Sequence, residues 1–253
     1  MEHQGRHALV TGGNAGIGLA IARSLADDGA TVTITGRRTD LLNQLAAEDD
    51  RLHALQMDVS DEDSVRQGIA DAAKARGPIS ICVANAGIAE GQPFASVALD
   101  DWRRMMSINL DGAFLTLQSA LATLGRDDWG RMIVVSSIAG VHGLKGAIPY
   151  TVSKHGMIGL IRGLSEEYMG SRITFNAICP GYVETDIVTN QAKAIAKRQG
   201  ITEEEATAYM AKGNRHRTLL QVDEVAASAH WLCSEGARSV NGQTIQIAGG
   251  QIA

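Results

Sequence analysis

Three side chains in the middle of this chain could move protons together: the hydroxyl of Ser137, the phenol of Tyr150 and the ammonium of Lys154. Tyr150 and Lys154 are four residues apart, so on a helix they stand one above the other on the same face. A lysine beside a phenol favours the phenolate and is expected to lower its pKa from about 10 toward the neutral range, which makes the pair an acid/base device. Ser137 directly follows the apolar run Met132-Ile-Val-Val-Ser136, which reads as a buried strand presenting the next hydroxyl at its end. A Tyr-x-x-x-Lys pair is common on solvated helix faces. Its meaning therefore depends on the elements that position it.

Those elements begin with His7-Ala-Leu-Val-Thr11, a short apolar strand, followed by Gly12-Gly-Asn14-Ala-Gly16-Ile17-Gly18 and an amphipathic helix from Leu19 to Asp28. In a strand, glycine turn and helix, the backbone N–H groups and the helix N-terminus can hold a pyrophosphate. Gly12 serves the sharp turn, Gly16 the close approach of a cofactor and Gly18 the packing of helix on sheet. A second strand, Thr31 to Thr35, ends at Gly36-Arg37-Arg38. An NAD site places an acidic residue about twenty residues beyond the glycine turn, whereas two guanidinium groups suit a 2′-phosphate, so NADP is favoured over NAD.

Leu52 to Val59 reads as a third strand, whose Asp58 could accept from an adenine amino group or cap the helix of residues 62–75, a role Ser60 and Asp61 could also fill. A fourth strand, Ile79 to Ala84, ends in Asn85-Ala86-Gly87, small residues that let backbone lie against a flat ligand. Asp100 to Leu124 reads as one long helix with Asn109 in its middle, where an amide side chain competes for backbone hydrogen bonds. Ile173 to Ile178 is another strand and runs into Cys179-Pro180-Gly181-Tyr-Val183-Glu-Thr185. Asp186 to Lys212 is polar, charged and helix-prone, placed where a mobile lid would sit. Val222 to Cys233 is a further helix and Gln243 to Ile247 the last strand. Strands alternating with helices predict an α/β fold with a doubly wound parallel sheet of seven strands.

Composition bounds the rest. The chain has 253 residues, 45% hydrophobic and 20% charged, with 28 glycines and only 4 prolines, and no linker or low-complexity segment divides it. One domain spanning residues 1–253 is expected. A net charge of −5 disfavours nucleic acid and anionic membranes as partners. No signal peptide or spanning run is apparent, which points to a cytoplasmic location. Cys82, Cys179 and Cys233 lie at unrelated spacings in apolar surroundings and are expected to be buried and reduced, with no metal site.

With these residues assembled, the chain resembles the classical short-chain dehydrogenase/reductase family over essentially its whole length. The resemblance rests on Thr11-Gly-Gly-Asn-Ala-Gly-Ile-Gly18, Asp58-Val59, Asn85-Ala86-Gly87, Asn109, Ser137, Tyr150 with Lys154, Pro180-Gly181 with Thr185, Val240-Asn-Gly-Gln243 and Gly249-Gly250. It implies a single Rossmann-type domain and a set of roles. Tyr150 would be the general acid in reduction and the base in oxidation. Lys154 would lower its pKa and hold the nicotinamide ribose, Ser137 would hydrogen-bond the carbonyl, and Asn109 would hold a relay water. Pro180, Gly181, Val183 and Thr185 would seat the nicotinamide. The family also suggests a homotetramer built on the helices around 100–124 and 150–169. This chain departs from the family pattern at Ala84, where a first asparagine is common, and at Ala248, where aspartate is common.

Within the family the chain looks like the branch of 3-oxoacyl thioester reductases and 3-hydroxybutyrate dehydrogenases. Enzymes acting on free 3-hydroxybutyrate clamp its carboxylate with polar side chains where this chain has Ala89, Ala139 and Ala147. A buried carboxylate without donors would cost several kcal/mol, so a neutral or bulkier 3-oxo substrate such as an acyl thioester is expected. Lys193, Lys197, Arg198, Lys212, Arg215 and Arg217 could meet phosphates of its carrier arm, and His142 and Lys145 could point into the pocket. The alternatives are a dehydrogenase of a sugar, steroid or other small secondary alcohol, and a non-catalytic nucleotide-binding regulator.

Overall fold

The computed structural model describes residues 1–125 and 128–251. Its centre is a seven-stranded sheet in the order β3-β2-β1-β4-β5-β6-β7, with every neighbouring pair parallel. The strands are β1 (His7–Thr11), β2 (Thr31–Gly36), β3 (Leu52–Gln56), β4 (Ile79–Ala84), β5 (Gly130–Val135), β6 (Ile173–Pro180) and β7 (Thr244–Ile247). Those at the centre are buried along their whole length; their largely apolar sequences suit a sheet covered by helices on both faces, and the polar His7, Arg131, Thr174 and Asn176 are buried with them.

The helices are α1 (Gly16–Asp27), α2 (Thr39–Glu48), α3 (Glu62–Arg76), α4 (Leu99–Met106), α5 (Gly112–Leu121), α6 (Ile148–Glu167), α7 (Asp186–Gln199), α8 (Glu203–Ala211) and α9 (Val222–Cys233). One face of the sheet packs Ile21 and Leu25 of α1 and Val225 and Leu232 of α9 against Val10, Ile34 and Val83. The other packs Val65 and Ile69 of α3, Leu117 of α5 and Ile161 of α6 against Leu9, Met132 and Phe175. Strand order reverses between β1 and β4. Open α/β sheets bind ligands at the crevice outside such a point.

Several elements differ from the expectation. The segment 100–124 is interrupted: a π-type turn, Ser107–Asp111, separates α4 from α5, with the Gly112 amide donating to Ser107 O. Asn109 is the cause on the side-chain side, because its amide is committed to another chain segment rather than to solvent. Gly112 is the cause on the packing side, since a Cβ there would lie 3.0 Å from Val59.

The polar segment after residue 185 is two helices. Gly200 adopts φ 69° and Ile201 N returns to Ala196 O, closing α7, and Thr202 with Glu205 forms a reciprocal capping box that opens α8. Val188, Ala192, Ala196, Ala206 and Met210 form an apolar cluster between them. Asp58 lies beyond β3 and does not cap α3; Asp61 does, accepting from Ser64 N at 2.9 Å. All three cysteines are free and buried, and burial pushes the thiols of Cys82 and Cys233 up to about 12.

Candidate active site

The crevice at the strand-order reversal is stitched by side chains whose types matter. The Thr11 hydroxyl accepts from the backbone N–H groups of Asn85 and Ala86, both at 3.0 Å. The Asn85 amide donates back to Thr11 O at 2.9 Å and Gly12 O at 3.3 Å. These bonds lock the end of β4 to the glycine turn after β1. Gly12 and Gly16 take positive φ, 63° and 51°, which an L side chain would strain. The turn tolerates no methyl at Gly18, where a Cβ would lie 2.4 Å from Gly12 O.

A cavity of about 550 Å³ opens over this turn, lined by Gly12, Asn14, Gly16, Ile17, Arg37, Arg38, Asp58, Val59, Asn85, Ala86 and Gly87, as the sequence predicts for a dinucleotide cleft. Gly18 is buried beneath it. Arg37 and Arg38 are exposed at the tip of β2. Asp58 is oriented by Ser60, whose N–H and hydroxyl donate to it at 3.0 and 2.7 Å; these bonds, with the nearby Arg37 charge, hold the carboxyl below its ordinary value. The residues fit a dinucleotide: glycine backbone leaves room against the N-terminus of α1, and guanidinium groups stand at the far end.

A second cavity, about 280 Å³, adjoins the first and shares Ile17, Asn85, Gly87, Ile88, Thr185 and Ile187 with it. Ser137, Tyr150 and Lys154 all line this cavity, together with Pro180, Gly181 and Val183. Ser137 leaves the end of β5 and caps a short 3₁₀ turn, accepting from Ala139 N at 3.1 Å. Tyr150 sits in the first turn of α6, which Pro149 pre-sets, and Lys154 follows one turn later. The loop 180–185 is held by Gly181 N to Ile247 O at 2.9 Å and by the Val183–Leu220 bridge.

The electrostatics differ from the simple pairing expected of Tyr150 and Lys154. The ammonium is 5.6 Å from the phenol ring centroid and donates to Val135 O at 2.8 Å. Burial pushes the Tyr150 phenol above its ordinary value, a shift that hydrogen bonding with Ser137 opposes. Burial also lowers Lys154 to about 8. In the free protein the lysine is thus a desolvated cation tethered to one carbonyl, and the proton stays on the phenol at neutral pH.

Asn109 does not line either cavity. It is fully buried, accepting from Ile88 N at 2.8 Å and donating to Ile88 O at 2.9 Å, with Ser153 Oγ at 3.1 Å. Ser153 Oγ in turn donates to Tyr150 O at 2.8 Å. Asn109 therefore fixes the strand β4 exit to the start of α6. A Cβ at Gly87 would lie 3.1 Å from Asn109 Oδ1 and 3.7 Å from Lys154 Nζ, so Gly87 is the spacer between the two.

Of the six cations expected to meet a carrier arm only Arg198 lines the pocket, joined by Lys145. Neither His142 nor Lys193, Lys197, Lys212, Arg215 or Arg217 lines it. Ala89 and Ala147 line the pocket, whereas Ala139 is buried beneath Ser137's turn. The sequence reading assigned no role to Thr11, Ser153, Glu90, Tyr182, Gln191 or Met210. Thr11 and Tyr182 stand inside the glycine-turn and Pro180-Gly181 motifs and Ser153 inside the Tyr150–Lys154 turn; Glu90, Gln191 and Met210 are brought to the pocket by the loop after β4 and by α7 and α8, whose placement carries no sequence period.

Comparison with known proteins shows the family of the chain. The family model for short chain dehydrogenase matches residues 6–196. The chain is 32% identical over 252 residues to the 3-oxoacyl-[acyl-carrier-protein] reductase FabG of Aquifex aeolicus, covering 98% of this chain and 97% of that protein. It is 31% identical to the D-beta-hydroxybutyrate dehydrogenase of Rhizobium meliloti, covering 96% and 97%. The crystal structure of an actinorhodin polyketide ketoreductase variant with NADPH superposes with a TM-score of 0.93 at 30% identity, covering 97% of each chain. A glycine turn against α1, a cleft at the β1/β4 reversal and a Ser-Tyr-Lys set beside it are found here in a chain matched along its length, which belongs to the short chain dehydrogenase family.

Proposed function

We propose that the chain is an NADP-preferring reductase of ketones, with 3-oxoacyl thioesters as its substrate class and one catalytic domain whose helices α7 and α8 form the lid. The observation that carries this reading is the convergence of Ser137, Tyr150 and Lys154 where the dinucleotide cleft meets the smaller pocket. The bound nicotinamide supplies the hydride. Gly12, Asn14, Gly16 and Ile17 cradle the pyrophosphate over the closely packed Gly18, and Arg37 and Arg38 take the 2′-phosphate. Asp58 and Val59 border the adenine, Asn85, Ala86 and Gly87 its ribose side, and Pro180, Gly181, Val183 and Thr185 the nicotinamide.

Ser137 donates a hydrogen bond to the carbonyl oxygen and Tyr150 gives it a proton as it becomes an alkoxide. Lys154 stabilises the phenolate left behind and holds the nicotinamide ribose. Asn109, whose side chain reaches neither cavity, acts by position instead of by holding a relay water: it fixes the Ile88 backbone and, through Ser153, the start of α6. The thioester assignment is supported by the alanines at 89 and 147, which offer no donor to a free carboxylate, and by Lys145 and Arg198 at the pocket. It also agrees with the name of the Aquifex aeolicus relative.

With NADPH, acetoacetyl-CoA should be reduced with kcat/KM at least about tenfold above an acetoacetyl thioester lacking the nucleotide arm, equivalent to about 1.4 kcal/mol of added binding. Equal values would remove the cationic rim from the recognition. If no 3-oxoacyl thioester is turned over while sugar or steroid ketones are, the substrate class is wrong. Arg37→Ala should lower kcat/KM for NADPH by about tenfold and leave that for NADH within about twofold, since it removes one charge-assisted contact to the 2′-phosphate. An unchanged NADPH-to-NADH ratio would make Arg37 a bystander.

The same reading extends to a cytoplasmic homotetramer packed through α4, α5 and α6. It is supported by the exposed Leu99, Phe114, Ile148 and Val152 on those helices. No helix among the described residues is long and apolar enough to cross a membrane.

A further inference from the structure

At the opposite end of α1 from the glycine turn, the N-terminal turn folds back on Asp28 and on α9. There His3 Nε2, Asp28 Oδ2 and His230 Nε2 converge, all within 4.8 Å of one another. His230 Nε2 is 3.2 Å and His3 Nε2 3.7 Å from the same carboxylate oxygen. His3 is 1% exposed, and its Nε2 has no hydrogen-bond partner. A buried ring nitrogen left unpaired costs about 1–3 kcal/mol. This one is aimed at a carboxylate it does not bond. Nothing in the nicotinamide chemistry uses it.

We propose that His3, Asp28 and His230 form a binding site for a divalent transition-metal ion of the zinc type. Two imidazoles and one carboxylate are a sufficient protein set for such an ion, with water in the fourth position. Bonds of about 2.0–2.1 Å in a tetrahedron put ligand atoms about 3.3 Å apart. The 3.2 Å edge, a His230–Asp28 hydrogen bond that the ion would replace, already matches; the 3.7 Å edge needs a shift of a few tenths of an ångström, and the His3–His230 edge, within 4.8 Å, must close to the same length.

The carboxylate is also pre-oriented. Its other oxygen, Oδ1, accepts from Glu2 N at 3.0 Å, while His3 N donates to Asp28 O at 3.1 Å, so the ligand-bearing turn is fastened before any ion arrives. His230 is about one-third exposed and, with Asp28, opens onto a surface cleft also lined by Arg23, Ser24 and Asp27, which gives the ion an entry path and a place for its water. The bound ion would staple the N-terminus to α1 and α9. No ligand spacing betrays the site in sequence, because the three residues lie at positions 3, 28 and 230.

The test uses the full chain stripped of metal with a chelator and titrated with Zn²⁺ by calorimetry. One ion per chain is expected, and saturating Zn²⁺ at about 100 times Kd should raise the unfolding midpoint by about 5–10 °C. Cobalt in place of zinc should give the visible absorption of a tetrahedral ion. His230→Gln, a change at a partly exposed position, and the double variant with His3→Gln should each weaken binding at least tenfold, while His155→Gln, on the exposed face of α6, should leave it unchanged. Absence of stoichiometric binding, or wild-type binding by both His230→Gln and the double variant, would overturn the site.

Discussion

Tyr150→Phe is expected to lower turnover of a ketone substrate by about 10²–10⁴-fold, the range lost when a positioned general acid is removed. NADPH affinity should stay within about twofold of wild type, because the ring remains and the cleft over the glycine turn is untouched. Pre-steady-state hydride transfer and a fluorescence titration of NADPH separate the two quantities. The pH profile adds a sign. Reduction requires the proton on Tyr150, so the wild-type rate persists below the phenol pKa and is lost above it. Burial holds that phenol above its ordinary value in the free protein, and the decline should accordingly come on the alkaline side. The residual rate of Tyr150→Phe should lack that decline. A variant with wild-type turnover would remove Tyr150 from the chemistry.

Gly18→Ala should damage the fold and the cleft together. The added methyl would lie 2.4 Å from Gly12 O, 2.5 Å from Asn85 Nδ2 and 2.9 Å from Gly12 C. Two of these atoms are backbone, and the third is fixed by its bonds to Thr11 O and Gly12 O. No flexible side-chain end is available to yield, so α1 must move off the turn. Overpacking of this kind costs about 1–3 kcal/mol, which for a chain of this size lowers the unfolding midpoint by about 2–12 °C. NADPH binding should weaken at least tenfold, as the N-terminus of α1 and the Asn85 exit shift apart. Thermal denaturation and an NADPH titration of the same preparation give both results. Wild-type values in both would show that the turn has slack that its contacts deny.

Much of the architecture was legible because its signals are local. The buried central strands are mostly apolar runs, and α9 begins and ends where its apolar period does, at Val222 and Cys233. Tyr150 and Lys154 could be paired from helical spacing alone. What escaped was set by tertiary contact. Asn109 reads as a helix-interior misfit, but its bonds to Ile88 decide that the helix opens into a π-type turn. The break at Gly200 was hidden in a charged run whose buried stripe, Val188 to Met210, spans two helices. The state of the Tyr150 phenol is not legible for a different reason: desolvation of the half-buried ring raises it, and sequence proximity to Lys154 says nothing about where the ammonium points.

The turn at Ser107–Asp111 also acts as a phase change. An α-helix advances about 100° per residue, so one additional residue in a turn rotates everything downstream by that angle relative to everything upstream. Because of it Met105 and Leu117, on either side of the turn, are both buried, and Gly112 can meet Val59. Were 107–111 to relax into regular α-helix with no residue removed, the uninterrupted rod would turn the buried side of α5 about 100° away from α3 and β4.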